Sequence, residues 1–134
     1  MNMPLTWPII LGIGLGGALG AVVRLLLDRY LPFGILLANT LGCAILGFLF
    51  GEMSAVDPQT YELLGTGAVS PALLTVLTFG LVGALSTFST VSLNAAQLWM
   101  SGWWIHAAGL WGLHLVCGLL AGAVGFALSA AWGG

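Results

Sequence analysis

Between Thr78 and Asn94 the chain reads Thr-Phe-Gly-Leu-Val-Gly-Ala-Leu-Ser-Thr-Phe-Ser-Thr-Val-Ser-Leu-Asn. Ser86, Thr87, Ser89, Thr90 and Ser92 crowd around one aromatic, Phe88. A helix in hydrocarbon satisfies its own backbone, and every unpaired side-chain hydroxyl there is costly. Such a cluster implies either a buried helix contact or a backbone that water and ions reach, and the second is the reading followed here. Asn39 adds an amide with two donors and one acceptor, suited either to an interhelical hydrogen bond or to handling an anion. His114 reads first as a hydrogen-bonded packing residue and second as a relay. Cys43 and Cys117 read as small apolar packing residues and imply no disulfide framework. No nucleophile has a base in register, no His/Cys/Asp set has metal-ligand spacing, and no phosphate-binding loop is present, so enzyme chemistry has no candidate. An uncharged polar path suits a permeating ion, because conduction requires weak binding at several sites.

The elements that must position these groups are membrane spans. The chain has 134 residues, of which 60% are hydrophobic and 4% charged. A domain this small cannot bury so much apolar surface in water, so the chain is an integral membrane protein of the bilayer, all-α. Its apolar runs are continuous and lack the alternation of a barrel strand. With about 20 residues needed per span, there is room for four helices in a single membrane domain. Expected spans are 8–30, 35–50, 71–100 and 106–131. Thr6-Trp7-Pro8 reads as the first helix start, with Thr6 as cap, and the N-terminus as a span instead of a cleaved signal. Leu31 to Gly34 is a tight turn. The longest connection, 51–69, carries Glu52, Asp57 and Glu62, with Asp57-Pro58 starting a short interfacial helix. Ser70-Pro71 opens the third span.

From Pro71 to Gly83 and from Phe88 to Met100 there are about a dozen residues each, too few to cross singly. The third span is therefore expected to be two half-helices joined at 83–87, mid-membrane. Irregular backbone at that depth requires protein or water around it, and its freed carbonyls suit a cation while the new N-terminus favours an anion. Small-residue grooves recur at Gly16 and Gly20 and at Gly118 and Gly122, four apart, permitting close helix approach. Arg24 follows Gly20 by one turn and either snorkels, with Asp28 as a partner at i+4, or faces a polar interior. Arg24 and Arg29 are the only basic residues. Nucleic-acid binding is excluded on that count, since phosphate contacts need many cations. Orientation by loop lysine and arginine is correspondingly weak, which lets the chain insert both ways up.

Three segments resemble the CrcB/Fluc family of fluoride channels: Gly16-Gly17-Ala-Leu-Gly20-Ala21-Val-Val-Arg24, Gly34-Ile-Leu-Leu-Ala-Asn39, and Gly83-Ala-Leu-Ser86-Thr87-Phe88-Ser89-Thr90. The resemblance covers the chain in length, span count and motif order, and Ser-Thr-Phe-Ser-Thr is its most specific part. It implies a fluoride-selective passive channel that exports fluoride from the cytoplasm, multi-pass in the bacterial plasma (inner) membrane, assembled as an antiparallel dual-topology homodimer with two pores. It implies a structural sodium ion held by backbone carbonyls, by position those of Gly83 and Ser86. Asn39, Phe88, Ser89, Thr90 and position 91 would line the fluoride pathway, Phe88 through its electropositive ring edge, and Arg24 would be structural. The family usually has a second phenylalanine where this chain has Val91, a threonine where it has Ile35, and Gly and Thr where it has Ala84 and Ser86. Two other readings share the size and span count: a small dual-topology multidrug-type transporter, and a non-conducting subunit of a paired channel. The first is disfavoured by the absence of a carboxylate expected within the spans.

Overall fold

A computed structural model describes residues 6–55 and 70–132, and all regular structure in them is helical. Helix α1 spans Trp7–Tyr30 and α2 spans Gly34–Ala55. The third stretch is composite: α3 (Pro71–Thr75), a π-helical segment (Val76–Val82), α4 (Gly83–Leu85) and α5 (Phe88–Met100). Helix α6 covers Trp104–Trp132. Four stretches, Trp7–Tyr30, Gly34–Met53, Ala72–Met100 and Trp104–Trp132, are long and apolar enough to cross a membrane. The connection expected to hold the Asp57-Pro58 helix lies outside the described residues.

The helix ends show how local chemistry places the elements. Thr6 precedes α1 in extended conformation, but its hydroxyl caps nothing; its carbonyl takes the N–H groups of Ile9 and Ile10 instead. At the other end Phe33 adopts a positive φ of 62°. Gly34 then packs so tightly on the Leu27 carbonyl and Asp28 that a Cβ would collide with backbone. That contact folds α2 back antiparallel to α1. Ser70 caps α3 by accepting from Leu73 N–H at 3.3 Å. Helix α5 ends in a paired motif: Gly102 N–H bonds Trp99 and Trp103 N–H bonds Leu98, with Gly102 left-handed at φ 81°. Only glycine takes that φ without strain, so the turn into α6 is specified by one residue.

Two glycine seams hold the bundle. In the first, α1 runs alongside the third stretch. A Cβ at Gly12 would strike Val76, at Gly16 it would press on Leu81 and Val76 backbone, and at Gly20 on Leu81 and Leu85 backbone. Gly80 returns the contact against Ile13 and Gly17. In the second seam, α2 and α6 run parallel, with Cys43 against Gly118, Gly47 against Gly122 and Gly51 against Ser129. Lipid tails are as apolar as the side chains, so helices gain by close backbone approach and not by hydrophobic segregation. Most large apolar side chains accordingly remain on the outside, and the buried set is small: Ala38, Leu49, Val82, Leu85, Val91, Ala95 and Ala107.

Helix α2 runs past the expected boundary and brings Glu52 into its last turns, where Ser129 donates to the carboxylate at 2.8 Å. This corrects the placing of Glu52 in the connection. Ser129 is 1% exposed, so the pair fastens the far end of the α2–α6 seam.

Candidate functional site

Within the expected junction, Gly83 to Leu85 are helical and only Ser86 and Thr87 are extended, with φ/ψ of −81/147° and −146/117°. The local sequence accounts for this. The hydroxyl and N–H of Ser86 both reach the Val82 carbonyl, at 3.1 and 3.0 Å, ending one helix. Thr87 begins the next as its cap, accepting from Thr90 N–H at 3.4 Å. Side chains that bond nearby backbone compete with helix continuation, and two in succession supply both an end and a start.

Asn39 completes the interruption. Its carbonyl oxygen accepts from Thr87 N–H at 2.6 Å, and its amide nitrogen donates to the Thr87 carbonyl at 3.1 Å. The side chain thus pairs with both backbone groups of Thr87, as a neighbouring strand would. In an unbroken helix that N–H would bond the Gly83 carbonyl four residues back. By diverting it, Asn39 frees the Gly83 carbonyl, and Gly83 itself is exposed. One of the two amide hydrogens of Asn39 stays unused among the described residues.

Around the interruption the hydroxyls form a connected group: Thr87 Oγ1 lies 3.0 Å from Ser89 Oγ and 3.3 Å from Thr90 Oγ1. Ser92 Oγ is buried without a partner among the described residues. Phe88 stands out from the chain, 70% exposed, its ring meeting Trp111 of α6 at 5.0 Å and 69°, edge to face. Val91, one turn on, is 3% exposed and turned into the helix packing. Phe88 thus lies on the open surface of α5 and Val91 in its packing. Arg24 follows Gly20 by one turn, and Gly20 is the last α1 glycine packed on the third stretch, at Leu81, Ala84 and Leu85. Arg24 makes no ion pair with Asp28 among the described residues.

Sequence reasoning passed over two features. Trp111 was unremarkable among six tryptophans, and only the fold reveals its contact with Phe88. The other was legible. Thr87, Thr90, Asn94, Gln97 and Ser101 recur at intervals of three and four, which lines one face of α5. Asn94, Gln97 and Ser101, with Leu98, Trp103 and Leu110, line an open hollow of about 490 Å³ at its end. No group of three or more His, Cys, Asp or Glu able to hold a metal ion occurs among the described residues.

Residues 11–126 match the model of the family described as CrcB-like protein, Camphor Resistance (CrcB). The chain belongs to the CrcB family. A fluoride-specific ion channel FluC of Aromatoleum aromaticum (strain EbN1) is 36% identical over 138 residues, covering 95% of each chain. The protein of the same name from Shewanella sediminis (strain HAW-EB3) is 38% identical over 108 residues, 73% of this chain and 77% of its own. That of Shewanella sp. (strain ANA-3) is 36% identical over 109 residues, 74% and 77%. The family reading of the three sequence segments is thereby borne out: CrcB relatives are ion channels, not enzymes, and four span-length helices make this member a multi-pass membrane protein.

Proposed function

We propose that the chain is a fluoride-selective passive channel of the bacterial plasma membrane, exporting fluoride from the cytoplasm as an antiparallel dual-topology homodimer. The observation that carries this is the Asn39–Thr87 clamp. It opens a helix between two hydroxyl residues, next to an outward-facing Phe88, in a family whose relatives are fluoride channels. In this reading the opening lies mid-membrane and is the break of the third span. Fluoride holds its hydration shell tightly, so a pore must substitute many weak donors for water. The spare Asn39 N–H, the Thr87–Ser89–Thr90 hydroxyls and the electropositive edge of Phe88 supply them in sequence. The hollow bounded by Asn94, Gln97 and Ser101 then serves as the aqueous mouth of the path.

The open surface around Gly83, Phe88 and Ser89 is completed by a second copy of the chain. The residues present fit a structural sodium ion, because the diverted Thr87 N–H leaves the Gly83 carbonyl without its helical partner and the end of a half-helix presents oxygen to a hard cation. Gly83 and Ser86 would hold it through their carbonyls, and the ion would supply fixed positive charge between the two copies. Glu52 does not revive proton-coupled transport: it stands 13 residues beyond Asn39, about 20 Å along the helix, and is bonded to Ser129.

Efflux from proteoliposomes, followed with a fluoride electrode, tests the reading. Fluoride efflux without chloride efflux is expected, weakened when sodium is replaced by a large organic cation. Phe88→Ile should cut fluoride flux at least about tenfold, the scale of one lost contact of about 1.4 kcal/mol in the path, while the assembly stays intact on size exclusion. Equal fluoride and chloride flux, or none of either from well-folded protein, would sink the proposal.

A further inference from the structure

Phe88 is the first residue of α5. A helical side chain is ordinarily steered by the turn before it, over which it lies. Before Phe88 that turn is missing, because Ser86 and Thr87 are extended. With 70% of its surface exposed, the ring is not held by a surrounding core either. What does meet it is Trp111 of α6, at 5.0 Å between ring centres and 69° between planes. T-shaped pairs are favoured because the electropositive rim of one ring meets the electron-rich face of the other. A phenyl ring carries C–H bonds all round its rim, so one such neighbour fixes its tilt and still leaves rim free for an anion.

Trp111 is also out of place for the usual work of a membrane tryptophan. The other five stand at helix ends: Trp7 opens α1, Trp99 lies in the last turn of α5, Trp103 and Trp104 lead into α6, and Trp132 closes it. There they can anchor the ends of spans at the membrane interface. Trp111 lies two turns inside α6, about 10 Å from Trp104 along the axis. Its indole N–H bonds nothing among the described residues, so the contact with Phe88 is the specific interaction the indole makes there. We propose that Trp111 is a positioning residue: it holds the Phe88 ring at one tilt, with free rim toward the fluoride path, and acts on fluoride only through that ring. This role rests on the reading of the chain as a fluoride channel.

Efflux from proteoliposomes is compared for the native chain, Trp111→Phe, Trp111→Leu, Phe88→Ile and the Phe88→Ile, Trp111→Leu double variant, with leak through protein-free liposomes subtracted. Trp111→Phe keeps a ring and should stay within about twofold of the native rate. Trp111→Leu removes it and should lower fluoride flux about threefold, inside the range of about two- to tenfold that an aromatic pair is worth, with elution on size exclusion unchanged. In the Phe88→Ile background the same substitution should have no further effect, because the ring it positions is gone. A purely structural role for Trp111 would lower flux by the same factor in both backgrounds, and that additivity would overturn the proposal. Native flux from Trp111→Leu, or equal losses in Trp111→Phe and Trp111→Leu, would overturn it as well. Should Trp111→Leu not assemble, the ring-proton resonances of Phe88 in the native protein decide. The indole ring current should displace them from the values of a free phenylalanine, and added fluoride should shift them further; undisplaced resonances, or ones indifferent to fluoride, overturn the proposal. Absence of fluoride flux from folded native protein would overturn the channel reading and this proposal with it; flux with additive losses overturns the proposal alone.

Discussion

At the scale of single residues the site turns on Asn39, whose side chain does what no backbone group nearby can. The Thr87 peptide is largely enclosed, and its N–H has lost the helical partner that an uninterrupted chain would give it. Asn39→Leu fills the same space and removes both bonds. An enclosed peptide group without partners costs about 1–3 kcal/mol, and the chain can recover it only by letting Thr87 bond Gly83 and closing the helix. The expected outcome is loss of fluoride efflux with a folded, still helical protein, and loss of any sodium dependence, since the Gly83 carbonyl would be recaptured. Efflux in Asn39→Leu equal to the native rate would mean that the clamp is packing alone. Asn39 shows how much of a site a sequence discloses. The amide was conspicuous in an apolar span and its two roles, interhelical bond or anion donor, were both open. The structure shows it serving the first role with part of its amide, and the spare N–H leaves the second available. Phe88 was legible as the lone aromatic among hydroxyls, whereas Trp111 was not, because its significance is a contact across two helices.

At the scale of elements the glycine seams decide how closely helices approach, and so whether Asn39 reaches Thr87 at all. Gly125 packs on the Ala44 carbonyl and the Phe48 N–H so closely that a Cβ would overlap backbone. Gly125→Leu therefore cannot be absorbed by a rotamer change; α2 and α6 must separate. Overpacking of this kind typically costs about 1–3 kcal/mol or more, and a lowered thermal midpoint of the detergent-solubilised protein is expected, with fluoride flux reduced through displaced Asn39. Gly14, whose Cβ would meet nothing within 4 Å, is the matched control, and Gly14→Leu should leave the midpoint unchanged. Equal midpoints for the two variants would show that the seam is not close-packed. The element scale was also where sequence reading did well and where it slipped. Four span-length stretches follow from apolar run length. Helix ends were less legible: Glu52 reads as loop because it is charged, but α2 continues through it since Ser129, 77 residues away in sequence, supplies a partner. The π-helical segment Val76–Val82 has no sequence signal of its own. It widens the turn where Gly80 meets Ile13 and Gly17, a consequence of packing between spans.

At the scale of the whole molecule Gly83, Phe88 and Ser89 are each exposed, and charge distribution bears directly on whether a second copy of the chain covers them. Arg24 and Arg29 lie toward the end of the bundle that holds the Leu31–Gly34 turn, and they are the only fixed cations in the chain. An orientation bias of one or two arginines is weak enough for both orientations to coexist, and an antiparallel dimer requires that they do. Under a two-fold relation each copy presents the same face to the other. This can be tested by removing the ambiguity. Leu31→Lys with Pro32→Lys adds cations at the arginine end and should hold that end in the cytoplasm. Arg29→Gln with Thr6→Lys and Trp132→Lys shifts the excess to the opposite end and should invert the chain. Each set alone yields a single orientation, no antiparallel partner, and cells that are no longer protected from fluoride. Expressed together the two should pair and restore protection to near the native level. Full protection from either set alone would show that copies associate in parallel or act singly. No protection from the pair, with both present in the membrane, would show that the charges disturb the bundle instead of its orientation. Restoration only in combination is what two oppositely inserted copies of one chain demand, and it would separate that assembly from a channel that needs a different partner subunit.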